Sequence, residues 1–214
     1  MIAHLEVLGR KALLLLPRLG RLLGKDYYLA GGTGLALQAG HRRSEDLDFF
    51  IHAVALVLPD KERLKIRLRK LGTFEVRKED AGTLHLYLGK VQVTFLAYRP
   101  KLIEPVLVIE QTRVASPVDI GLMELSAIVD RGSRKDFMDL AWIIRERKSL
   151  PDLISLTDRK FTGSHDFKIQ VMKALTYFAD AETEVSPVVL DPRYQWPPVK
   201  KFIQAEVKRM GSKF

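Results

Sequence analysis

Apolar and polar positions change period several times along the chain, and each change predicts an element. Leu5 to Leu23 carries apolar residues at helical spacing and reads as an amphipathic helix bearing Arg10, Lys11, Arg18 and Arg21, interrupted near Pro17. Tyr27, Tyr28 and Leu29 give a short strand signal that runs into Gly31-Gly32-Thr33. Leu35, Ala36, Leu37 and Ala39 resume a helical pattern, and Gly40 closes it. Asp46 to Ile51 reads as a strand. Pro59 and Asp60 then open a basic helix whose Leu64, Leu68 and Leu71 form one stripe and which ends at Gly72. Thr83 to Leu88 and Val91 to Tyr98 are β-rich and joined by Gly89-Lys90, a two-residue hairpin signal, and Val106 to Ile109 adds a further short strand. From Pro117 onward the pattern is helical: Ile120 to Val129, Ser133 to Arg147 after a break at Gly132, Lys168 to Ala179, and Val199 to Met210. Strands in the first half and helices in the second predict an α+β fold, a mixed sheet with flanking helices followed by a C-terminal helical lobe. The boundary falls near Arg113 to Pro117, giving a core of residues 1–114 and a lobe of residues 115–214.

Composition narrows the class. A chain of 214 residues, 47% hydrophobic and 29% charged, suits one large domain or two intimately packed lobes. There is no cysteine, which removes disulfides, zinc thiolate sites and cysteine nucleophiles and fits a reducing compartment. The early apolar run Ala12 to Leu16 is closed by Pro17 and Arg18, too short for a membrane span and without a small-residue cleavage site, so a cytoplasmic protein is expected. The formal net charge of +9 suits an anionic partner such as nucleic acid or nucleotide, and equally a basic solvated surface. The histidines at positions 4, 52, 85 and 165 form no ligand spacing.

The chemistry concentrates between Leu29 and Phe49. A glycine pair at a strand-to-helix junction, Gly31-Gly32, lets a phosphate approach the backbone closely. The free N–H groups of the following helix supply an anion site, and Thr33 adds a hydroxyl. Read alone, the pair is also an ordinary tight turn. Asp46 and Asp48 lie two apart in a strand and so share a face, roughly 7 Å apart, while Leu47 and Phe49 point to the core. Adjacent like charges on a sheet need a cationic compensator. Mg²⁺, or Mn²⁺ in its place, takes hard oxygen ligands and leaves positions for substrate phosphates; an exposed edge or arginine pairing is the competing account. Together the two features bring a triphosphate and its metal to one place, as nucleotidyl transfer requires.

At this point the chain resembles a known family. Gly31-Gly32-Thr33 and Asp46-Leu47-Asp48 look like the Gly-Gly/Ser and Asp-x-Asp motifs of the DNA polymerase β nucleotidyltransferase superfamily. The run Gly40-His41-Arg42-Arg43-Ser44-Glu45-Asp46-Leu47-Asp48-Phe49-Phe50 and the later Arg131-Gly132-Ser133-Arg134-Lys135-Asp136-Phe137-Met138-Asp139-Leu140 resemble two signatures of the AbiEii/AbiGii toxin family, and the similarity covers nearly the whole chain. The resemblance implies that Gly31, Gly32 and Thr33 hold the triphosphate of an NTP and that Asp46 and Asp48 bind the divalent metal. Arg42 and Ser44 would shape the strand entrance and touch phosphate, and Asp136 would be a catalytic or positioning carboxylate. It implies a toxin of a toxin–antitoxin system that transfers a nucleotide to RNA, tRNA-like, or to protein, with an antitoxin as partner. Ser133 and Asp136 also read as a capping box, His41 as a hydrogen-bonded turn residue and Asp139 as a local pairing partner.

Two positions depart from the pattern. Thr94 stands where the superfamily places a third carboxylate, and Glu124 stands where the family carries a lysine. Arg131 or Lys135 restores the positive charge, or Glu124 pairs with Arg131. The alternative to an active enzyme is accordingly a catalytically degenerate protein of the same fold that binds nucleotide, RNA or a protein partner.

Overall fold

The computed structural model describes residues 3–163 and 166–211; His165 lies outside them. In chain order the elements are α1 (Arg10–Leu23), β1 (Tyr27–Leu29), α2 (Gly31–Ala39), β2 (Leu47–Ile51), α3 (Leu58–Arg69), β3 (Phe74–Glu79), β4 (Thr83–Leu88), β5 (Val91–Ala97), β6 (Leu107–Ile109), β7 (Thr112–Val114), α4 (Pro117–Asp130), α5 (Arg134–Glu146), α6 (Leu150–Ser155), α7 (Thr157–Lys160), α8 (Phe167–Ala174), α9 (Ala179–Thr183) and α10 (Trp196–Gly211). The α+β layout stands: a seven-stranded mixed sheet of order β3-β4-β5-β2-β1-β7-β6, with helices around it and after it. The central strand β2 runs antiparallel to β1 and parallel to β5.

Alternation in β2 and β5 splits their side chains between two faces. Leu47, Phe49, Val93 and Phe95 enter a fully buried core under α1 and α3, with the rings of Phe49 and Phe95 stacked at 5.8 Å. Asp48, Phe50, Thr94 and Leu96 occupy the other face and border a cavity. A second core, built on α4, α5, α8 and α10, reaches the sheet through Tyr28 of β1 and meets the start of α2 through Ala30 and Leu35. The buried pair Lys160–Asp119 (2.7 Å) ties the connection between β5 and β6 into this core, since Asp119 also accepts the amides of Ile103 and Glu104.

Several elements differ from the expectation. Helix α1 is continuous through Pro17, and the break comes earlier, at a separate 3-10 turn, Leu5–Val7. The missing N–H of Pro17 costs one hydrogen bond, while Leu15, Leu16, Leu19 and Leu23 stay buried on either side of it. Strand β2 begins at Leu47, one residue later than expected, because the Asp46 carbonyl accepts the Thr33 hydroxyl instead of joining the ladder. The helix expected over Lys168 to Ala179 stops at Ala174 as α8, and α9 is a separate short helix that begins at Ala179. Strands β3 and β7 and helices α6 and α7 were not foreseen.

Gly20 lets α1 approach the sheet. A Cβ there would lie 2.4 Å from the Gln111 carbonyl and 2.5 Å from Thr112 Oγ1, at the tight β6–β7 turn where Glu110 and Gln111 both have positive φ. Gly20→Ala is therefore expected to cost about 1–3 kcal/mol through overpacking, read as a lower urea midpoint at unchanged slope. An unchanged midpoint would mean that the turn yields.

Candidate active site

The cavity is about 640 Å³ and lies between the polar face of β2 and β5, the start of α2, and helices α4 and α5. Every site residue singled out from the sequence borders it: Gly31, Gly32, Thr33, Arg42, Ser44, Asp46, Asp48, Arg131, Lys135 and Asp136.

The start of α2 is shaped by its glycines. Gly31 has φ +59, a conformation that favours glycine, and a Cβ there would sit 3.7 Å from Asp48 Oδ2. The helix N-terminus and its unpaired amides thus open beside the Asp48 carboxylate. Gly32 makes room for a side chain instead: a Cβ would fall 2.1 Å from Arg42 Nη2. The Thr33 hydroxyl is buried and committed inside the protein, donating to the Asp46 carbonyl and sharing a 2.6 Å hydrogen bond with the Ser44 hydroxyl. It pins the approach to β2, which leaves the Thr33 backbone amide as its offering to a ligand.

Asp46 and Asp48 reach the cavity from the entry and first turn of β2, and neither forms an ion pair among the described residues. Burial raises the Asp48 carboxyl above the usual range. The Thr94 hydroxyl, its hydrogen-bonding neighbour across the β2–β5 ladder, opposes that rise; Asp46 adds to it, and Lys135 and Arg131 counter it. Thr94 thus orients Asp48 where a third carboxylate was expected. The two aspartates fit a divalent cation that fills its remaining positions with water and phosphate oxygens. No cluster of three ligating carboxylates or histidines occurs among the described residues.

Arg42 is no surface charge. It is buried, and its guanidinium grips Asp139 through Nε and Nη2, both at 2.6 Å. His41, fully buried, adds a 2.7 Å contact to Asp139 Oδ1 and packs against Trp142 and Tyr194. Burial pushes the Asp139 carboxyl up, but Arg42 and His41 outweigh it and hold the group below the carboxylate range. From the far end of the chain, residues 188–190 pair with this loop: Arg43 donates to the Val188 carbonyl and Leu190 to that of His41.

Asp136 is 1% exposed and its carboxylate is fully occupied. Arg131 binds it twice, at 2.8 and 3.0 Å, and the Ser133 amide at 3.2 Å as the N-cap half of a capping box. Arg131 pairs with Asp136 and not with Glu124, since α4 ends at Asp130 and the chain turns before the next helical position. Lys135 is exposed at the rim and makes no ion pair among the described residues. Sequence reasoning missed the apolar side of the cavity, Phe50, Leu96, Tyr98 and Met123, and the rim residues Pro187 and Val188. Only the strand alternation carrying Asp48 on to Phe50 and Thr94 on to Leu96 pointed that way.

A mixed sheet that sets paired carboxylates at the start of its central strand beside a Gly-Gly helix start has the nucleotidyltransferase fold, and solved structures share it. The nucleotidyltransferase toxin MenT4 from Mycobacterium tuberculosis superposes with a TM-score of 0.54 at 18% identity, over 92% of this chain and 86% of that one. JHP933 from Helicobacter pylori gives 0.52 at 19% identity over 96% of each chain. The chain belongs to the family described as "Nucleotidyl transferase AbiEii toxin, Type IV TA system", whose profile matches residues 15–211, and is a nucleotidyltransferase of that family. It is also 34% identical over 193 residues to the Aquifex aeolicus protein aq_aa25, covering 86% of this chain and 87% of that one.

Proposed function

We propose that the protein transfers a nucleotide from an NTP to an RNA acceptor, tRNA-like in kind, as the toxin of a toxin–antitoxin pair. The observation that carries this reading is one cavity holding both the Asp46–Asp48 pair and the open start of α2. The amides of Gly31, Gly32 and Thr33 bind the triphosphate at the helix N-terminus. Arg131 and Lys135, whose charges already act on Asp48, face the same phosphates. Asp46 and Asp48 would hold Mg²⁺ or Mn²⁺, which when bound would neutralise charge developing on the phosphates. The acceptor hydroxyl bonds to the α-phosphorus, the α–β bridging P–O bond breaks, pyrophosphate leaves and the hydroxyl proton is released.

Asp136 is a positioning residue here, since its carboxylate is spent on Arg131 and Ser133. Arg42 and Ser44 shape the wall, Arg42 from beneath Gly32 and Ser44 through Thr33. The net charge of +9 favours RNA over a protein acceptor. The division into residues 1–114 and 115–214, a cytoplasmic setting and an antitoxin partner belong to the same reading; no helix among the described residues is long and apolar enough to cross a membrane.

The test supplies each nucleoside triphosphate, labelled in its α-phosphate, with Mg²⁺ or Mn²⁺ and total RNA. Label is expected in RNA from a preferred nucleotide and is expected to disappear on chelation. Label confined to protein would move the acceptor. Folded protein that binds nucleotide and leaves every acceptor unlabelled would favour a degenerate site.

A further inference from the structure

A carboxyl group without a partner lines this cavity. Glu124, midway along α4, is 4% exposed and makes no hydrogen bond or ion pair among the described residues. The cations around it are already used: Arg42 by Asp139, and Arg131 by Asp136. Those two guanidinium groups and two carboxylates cancel, so ionising Glu124 leaves one uncompensated negative charge in a buried cluster. The other titratable groups near it do not change that balance. His41 is bound to Asp139, Lys135 stands exposed at the rim, and Asp130 is exposed on α4 itself. From the sheet, Tyr98 and Tyr28 present buried hydroxyls with no partner. Burial, with the charges of Asp136 and Asp139, lifts the Glu124 carboxyl well above its ordinary range against the pull of Arg131 and Arg42.

The position of the cluster says what Glu124 faces. The Arg42–Asp139 pair lies directly against Gly32, with Asp139 Oδ2 3.3 Å from where a Cβ would be. Among the charged groups around Glu124, Asp136 and Asp139 act most strongly on it, ahead of Arg131 and Arg42. Glu124 thus lines the same cavity as Gly31, Gly32 and Thr33, next to the cluster that backs the start of α2.

We propose that Glu124 is a proton-linked phosphate ligand: its neutral carboxyl donates an O–H hydrogen bond to a phosphate oxygen of the triphosphate seated at the start of α2. This rests on the reading that the cavity takes a nucleoside triphosphate. Ionised Glu124 accepts only and repels the phosphate, so the bound state holds the proton more tightly than the free site. The sign follows: at a pH where free Glu124 is ionised, binding takes up a proton, and affinity falls by up to about tenfold for each further pH unit.

The test is calorimetric titration of wild type, Glu124→Gln and Glu124→Ala with each of the four magnesium–nucleoside triphosphates between about pH 6 and 9, in two buffers of different ionisation enthalpy. The γ-phosphate's own titration is common to all three proteins, so the difference between them is read. Wild type is expected to take up a proton that Glu124→Gln does not, and to weaken steeply with pH where Glu124→Gln stays nearly level. Glu124→Ala, with no donor, is expected to bind weakly and with a flat profile, and it serves if Glu124→Gln fails to fold. Equal slopes and proton counts in all three proteins, or proton release on wild-type binding, overturn the proposal while leaving the nucleotide reading intact. Folded wild type that binds no triphosphate at any pH overturns both.

Discussion

Asp48→Asn is expected to reduce nucleotidyl transfer by at least about 100-fold, roughly 2.7 kcal/mol of barrier, while the fold is kept or strengthened. Asparagine preserves the shape and can still accept the Thr94 hydrogen bond, so β2 and β5 need not move. What is lost is one of the two charges proposed to hold the metal, whose stabilisation of transferring phosphates would be worth several kcal/mol. What is gained is relief of a carboxylate that burial and Asp46 both disfavour in its ionised form. Activity and melting temperature should therefore move in opposite directions, which a variant that merely unfolds cannot produce. Unchanged transfer by Asp48→Asn would remove the metal role from this residue, and Asp46→Asn would be the next change to make.

The largest effect on stability is expected from Asp139→Ala, about 3–5 kcal/mol, the cost of leaving a buried partner charge unpaired. Arg42 would lose both of its 2.6 Å hydrogen bonds in a site where it is 3% exposed, and His41 would lose its partner as well. Urea unfolding measures the loss directly. Because Arg42 lies against Gly32, nucleotide affinity should fall alongside stability. A stability loss below about 1 kcal/mol, the scale of a solvent-exposed ion pair, would show that solvent readily reaches Arg42 and that the cluster does not pin the wall.

The part of the site that was legible in the sequence is the part built from near neighbours. Gly31-Gly32 at a strand–helix junction and Asp48 alternating with Leu47 and Phe49 are local patterns with a fixed geometric meaning, and the structure arranges them as read. The Gly89-Lys90 hairpin and helices α4 and α5 follow from the same kind of signal. The Arg42–Asp139 pair spans 97 residues, and no local period encodes it. Asp136 carried two readings in sequence because a capping box and a reactive carboxylate use the same residues; only its bond to Arg131 shows how the carboxylate is spent. Strand β3 escaped notice because it is an edge strand, Phe-Glu-Val-Arg-Lys-Glu, exposed for most of its length and so without the apolar alternation that marks a half-buried strand. The isolation of Glu124 is the sum of pairings made by other residues, and no pattern in its own segment could reveal it.

The pairing of residues 188–190 with the loop at His41 has a consequence for the newly made chain. On the ribosome the glycine turn and both aspartates emerge well before Asp139, and Val188 follows later still. Until then Arg42 has neither its carboxylate nor its neighbouring strand segment, and the loop that carries it has little reason to hold one shape. The wall of the cavity is thus finished only once Asp139 and residues 188–190 have been made, and a chain stopped short of them carries both aspartates without the enclosure that would give them a substrate.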